Sequence, residues 1–147
     1  MPQENKVELS VIKYPDLLKV SVHSVIQHPS FEKDLKELLS DSGNRQMVRK
    51  QFMKIGSYLS QDIVTWKSAC VFGQIVNNAI YHYYRIKNQQ CNMRLVFVYL
   101  PSEDVYIFIH AFIEKNTKDY TKVVEICNTR IKDVMQEYNC EKGDFLC

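Results

Sequence analysis

The run Ile80-Tyr81-His82-Tyr83-Tyr84-Arg85-Ile86-Lys87, then Met93-Arg94-Leu95-Val96-Phe97-Val98-Tyr99-Leu100, then Val105-Tyr106-Ile107-Phe108-Ile109-His110-Ala111-Phe112-Ile113 decides how this chain folds. Each run is rich in the β-branched and aromatic residues that fit a pleated, half-buried surface. Polar Asn88-Gln89-Gln90 and Pro101-Ser102-Glu103-Asp104 separate them. Links this short force antiparallel neighbours, so the runs read as a meander of hairpin-linked strands. After Lys115-Asn116-Thr117 the period changes, and Val123, Val124, Cys127, Ile131, Val134, Met135 and Tyr138 recur at helical spacing on one side. A helix must bury such a stripe, and the sheet is its partner.

Upstream, Ile63-Val64-Thr65-Trp66 and Ala69-Cys70-Val71-Phe72 fit strand, helix or packed loop equally. Residues 60–78 are therefore read as a connection holding a short helix or strand, with Trp66 as its anchor on the core. A helix is expected from about Arg45 to Leu59, with Met47, Val48, Phe52 and Ile55 inward. Another is expected to start at a Ser30 cap, bury Phe31, Leu35, Leu38 and Leu39, and end at Ser42-Gly43-Asn44. The short link between them predicts a helical hairpin. Alternation through Lys19-Val20-Ser21-Val22-His23-Ser24-Val25 predicts the first core strand, beginning at Leu18, and Val7 to Ile12 reads as an extension or an edge strand. Glu141-Lys142-Gly143 reads as a frayed tail. The expected organisation is an N-terminal extension (1–17), one α+β domain (18–138) and a tail (139–147). The domain holds an antiparallel sheet of about four strands, an N-terminal helical hairpin and a C-terminal helix.

A length of 147 residues is enough for one domain with a real core. At 46% hydrophobic and 24% charged the composition is far from that of disordered chains, and a net charge of +2 means nucleic-acid binding must be argued from where the charges sit. Five cysteines with no CxxC pair, and no basic-then-apolar leader, point to a reducing cytoplasm. No apolar run nears the ~20 residues of a membrane helix, so no membrane partner is expected. No cysteine or histidine spacing suits zinc, so no metal is expected either.

Strand alternation places Tyr81, Tyr83, Arg85 and Lys87 on one face and Ile80, His82, Tyr84 and Ile86 on the other. Arg94 opens the next strand and Lys115 closes the third, so four cations meet beside aromatic rings at one end of the sheet. Such a group suits phosphate neutralisation and base stacking on single-stranded RNA. Cations at strand ends also serve simply to suppress edge pairing. By parity His110 shares a face with Tyr106, Phe108 and Phe112. Covered by a helix, it would be a hydrogen-bonded core residue; left open, it could give a proton to a leaving group. His82 reads as structural.

The order of these pieces resembles the RelE/HigB-like toxins of type II toxin-antitoxin systems, part of the RelE/ParE superfamily. Tyr84-Arg85-Ile86-Lys87 followed by Met93-Arg94-Leu95-Val96-Phe97 is similar to the family's basic strand and the arginine-led apolar strand beside it. Ile109-His110-Ala111-Phe112-Ile113-Glu114-Lys115 is similar to its histidine, small residue, phenylalanine and lysine-pair segment, and Phe31-Glu32-Lys33-Asp34-Leu35 to its first helix. The similarity spans roughly Val20 to Tyr138.

The resemblance implies a RelE-like fold and a ribosome-dependent mRNA endoribonuclease that inhibits translation. The implied chemistry needs neither metal nor cofactor: the neighbouring 2′-hydroxyl attacks and leaves a 2′,3′-cyclic phosphate. Implied partners are a cognate antitoxin protein, the ribosome and mRNA, with no DNA binding by the chain itself. By position the resemblance implies Arg85 and Lys87 on the basic strand, Lys87 as the proton acceptor, and Arg94 as the cation that stabilises the transition state. It further implies Lys115 as a cation at the end of the third strand and Tyr120 as a residue that stacks on a base or orients the substrate. Glu114 departs from the pattern, standing where many members have their first lysine. The alternative expectation is a catalytically weak or inactive module of the same fold that engages RNA or a protein partner.

Overall fold

The computed structural model describes residues 10–11, 24–38, 44–75, 78–87, 92–114 and 120–147. The three decisive runs form β4 (Asn78–Lys87), β5 (Asn92–Leu100) and β6 (Val105–Ile113). They pair antiparallel, with Arg85 opposite Arg94 and Arg94 opposite Phe112. A 3-10 turn at Pro101–Glu103 joins β5 to β6 and closes through Asp104, whose φ of 49° is tolerated because Asp is among the few L residues that visit the left-handed region. The helix α4 (Thr121–Tyr138) buries Val123, Cys127, Ile131 and Val134 against the sheet, as the periodicity predicts. It ends at Asn139, φ 50°, in a left-handed cap whose N–H bonds the Met135 carbonyl.

Before the meander lie β1 (Ser10–Val11), β2 (Ser24–Gln27), α1 (Pro29–Leu38), α2 (Asn44–Leu59), α3 (Ile63–Ser68) and β3 (Phe72–Ile75). The sheet has five longer strands and the two-residue β1, in the order β1-β2-β6-β5-β4-β3. Two expectations are corrected here. The sheet exceeds four strands, because the ambiguous connection holds both a helix and a strand and because part of the N-terminal extension pairs with β2. Nor is it wholly antiparallel: β2 lies parallel to β6, which the long crossover through α1–α3 and β3–β5 permits. The predicted upstream half of the first core strand lies outside the described residues, as does the 39–43 link that would make α1 and α2 a hairpin. Helix α1 starts at Pro29, not at a Ser30 cap: the His28 ring Nδ1 accepts the Ser30 N–H at 3.0 Å, and proline occupies the first helical position, where no N–H is needed.

Helices α1–α3 cover one face of the sheet and α4 the other, giving three layers and two cores. Phe31, Phe52, Ile55, Leu59 and Trp66 pack on Tyr84, Leu95, Phe97 and Phe108 in the first core. The 139–147 segment is docked rather than frayed. Phe145 is 3% exposed in the α4-side core, Leu146 packs against the other, and the Leu146 N–H bonds the Tyr99 carbonyl at 2.9 Å. The tail reads as polar because the fixing residues are its last two apolar ones. Among the described residues no helix is long and apolar enough to cross a membrane.

Candidate anion site beside the start of the last helix

Strand parity and register bring Tyr83, Arg85 and Arg94 to the α4 side of the sheet, and Tyr120 immediately precedes α4. Glu114 follows β6, its N–H bonded to the Asn92 carbonyl at 2.8 Å. The guanidinium of Arg94 donates through Nε (2.7 Å) and Nη2 to Glu114 Oε2. Asn92 Nδ2 reaches the same oxygen at 3.3 Å, and the Tyr120 hydroxyl donates to Oε1 at 2.9 Å. The Arg94 and Glu114 side chains are only 9% and 5% exposed.

The Tyr83 ring lies over the Arg94 guanidinium, 4.5 Å from ring centroid to Cζ, a cation–π contact. Gly73 on β3 makes this possible. It is the cross-strand partner of Tyr83, and a methyl group there would meet Tyr83 ring atoms at 2.5 Å. The ring fills the space that a side chain would need, as aromatic residues do over glycines in sheets.

Burial alone would raise the Glu114 pKa, yet the hydrogen bonds from Arg94 and Tyr120 and the charges of Arg94 and Arg85 outweigh it and hold the carboxyl below its usual value. Burial, then the bond to Glu114, pushes the Tyr120 phenol up to about 12. Tyr120 is therefore a hydrogen-bond donor at neutral pH rather than an acid or base. Three buried side-chain polar atoms of the described residues have no hydrogen-bond partner, and all three sit here: Arg85 Nε, Asn92 Oδ1 and Arg94 Nη1.

Of the sequence-predicted residues, Arg85, Arg94 and Tyr120 thus come together. Lys87 ends β4 at the register position opposite Asn92, and Lys115 lies outside the described residues. His110 takes the covered alternative, with one correction. A bulge between Val96 and Phe97 leaves Ile109 unpaired, so His110 and Phe112 turn away from Tyr106 and Phe108 toward α4. There His110 Nδ1 lies 2.9 Å from Asp34 Oδ2, which also accepts Arg130 Nη1 (2.6 Å) and the Ala111 N–H (3.2 Å). Its ring stacks on Phe112, which meets Tyr120 edge-on. A second tie runs beside it, His28 Nε2 donating to Asp133 Oδ2 at 2.7 Å.

Tyr83 was legible on the aromatic-basic face, though not as the cover of Arg94. Asn92 hides in a polar link, and the Asp34–Arg130 pair joins residues with no local signal. Among the described residues no three metal-ligating side chains gather to hold an ion. No protein-family model, curated protein or solved structure matches the chain.

Proposed function

We propose that the chain is a RelE/HigB-like toxin, a metal-independent endoribonuclease that cuts mRNA on the ribosome and is held in check by a cognate antitoxin. The observation that carries this reading is the pair of arginines, Arg85 and Arg94, set opposite each other in register with buried N–H groups left unbonded. Buried donors without partners are rare in proteins and fit an anion supplied from outside. Tyr83 and Tyr120 beside them suit the flat faces of unpaired bases.

In the proposed reaction the 2′-oxygen bonds to phosphorus and the P–O5′ bond breaks. Lys87 takes the 2′-hydroxyl proton, Arg85 and Arg94 neutralise the charge growing on the phosphorane, and the departing 5′-oxygen takes its proton from water. The cytoplasm is the proposed location and ribosome, mRNA and antitoxin the proposed partners. Glu114, already seated on Arg94, favours a second reading as a non-catalytic module of the same fold that binds RNA or a protein.

Expression of the parent and of Arg94→Ala, with translation and mRNA cleavage followed, tests the proposal. Arrest and cleavage by the parent, lost in the variant, are expected. A parent that neither arrests translation nor cuts mRNA would sink the nuclease reading.

A further inference from the structure

We propose that Glu114 is a built-in stand-in for the substrate's phosphate, and that a phosphodiester binds Arg94 only when this carboxylate swings away. The inference rests on reading the site as an anion site, and it does not require cleavage. Two donors from Arg94, one from Asn92 and one from Tyr120 converge on the single Glu114 carboxylate. The guanidinium fork fits a carboxylate and a phosphate equally well. With both side chains at least nine-tenths buried, there is no room for an external anion while Glu114 is in place.

The carboxylate leaves the receptor incompletely matched, since the donors Arg94 Nη1 and Arg85 Nε stay unbonded around it. Two guanidiniums against one carboxylate also leave a unit of positive charge. A phosphate, with more acceptor oxygens, can engage donors that Glu114 does not reach. Because the Glu114 N–H is pinned to the Asn92 carbonyl, the exchange needs a side-chain rotation and no opening of the sheet. The site is in this sense self-quenched.

The test titrates inorganic phosphate, and separately a short 2′-O-methylated single-stranded RNA that cannot be cut, into the parent, Glu114→Gln, Glu114→Ala and the Arg94→Ala/Glu114→Gln double variant. Glu114→Gln keeps the shape and removes the charge, and it is expected to bind both probes at least ~10-fold tighter than the parent, with the gain abolished in the double variant. Glu114→Ala leaves Arg94 unpaired and weakens the fold, so its Tm is expected to rise with phosphate more than the parent's does. Equal or weaker binding by Glu114→Gln would overturn the proposal, as would a gain that survives loss of Arg94. So would a Glu114→Ala Tm that phosphate moves no further than the parent's. RNA cleavage is measured on the same proteins: tighter phosphate binding with no cleavage by any form upholds this inference and removes the nuclease reading.

Discussion

On the face covered by α1–α3, Trp66, His82 and Tyr106 are buried among aromatic rings, with Trp66 Nε1, His82 Nε2 and the Tyr106 hydroxyl hydrogen-bonded; on the α4 face, Arg85, Asn92 and Arg94 sit together with one buried atom each unbonded. Trp66 Nε1 donates to the Tyr106 hydroxyl at 3.0 Å, and the His82 ring, 1% exposed and stacked on Phe97, donates from Nε2 to the Leu146 carbonyl at 3.1 Å. A satisfied buried polar group costs little, whereas an orphan costs about 1–3 kcal/mol. The first face is therefore built for stability. The second carries the cost of three unbonded polar atoms, two of which are arginine donors that the proposed anion would engage.

Trp66→Ala strikes the satisfied face hardest. It should lower stability by ~3–5 kcal/mol in urea unfolding, since it removes a fully buried ring packed on Phe72, Phe97 and Tyr106. A loss below ~1 kcal/mol would break the comparison.

Next in size is a pH effect. Burial holds the His82 imidazole neutral by lowering its pKa from 6.5 to about 4, with the charge of Lys67 adding to the shift and the Leu146 bond opposing it. The unfolded chain therefore takes up the proton first. Stability from this group is complete above pH 6.5 and is lost as pH falls toward 4, by on the order of 3 kcal/mol. Thermal melts across that window should show the slope in the parent and a flattened one in His82→Phe.

On the other face, Gly73→Ala should cost ~1–3 kcal/mol by pushing the Tyr83 ring off Arg94. Adding Tyr83→Ala should recover part of the loss; a cost unchanged by that second substitution would show that the ring is not what the methyl meets. The smallest effect on stability is expected from Arg94→Met/Glu114→Leu, within about 1 kcal/mol of the parent, because apolar pairs replace buried ion pairs at little cost. The same double variant should lose RNA binding, separating what the pair does for the fold from what it does for the site.

The meander and its closing helix were legible because each signal is local: a period of two, short polar links, then a period of 3.6. Residues 60–78 were not, since six helical and four strand residues are each too short for a period to declare itself. Parallel pairing of β2 with β6 is a tertiary choice with no local mark. In the site, Arg85 and Arg94 follow from counting along strands, whereas the Glu114 carboxylate shared by Arg94, Asn92 and Tyr120 depends on how three chain segments meet. Simple alternation misplaces His110 for one reason, the single unpaired residue at Ile109.

That residue acts as a phase shifter. Upstream of it the odd-numbered positions of β6, such as Val105 and Ile107, address α4; downstream the even-numbered ones do, beginning with His110. Were β6 to pair without that slip while keeping Ile109, its downstream half would change sides: Ala111 would stand opposite Arg94 and Phe112 opposite Met93. Anyone grafting β6 intact onto another meander would have to carry the bulge with it, because with Ile109 present the arginines and the rings beside them share an address only through that slip in the count.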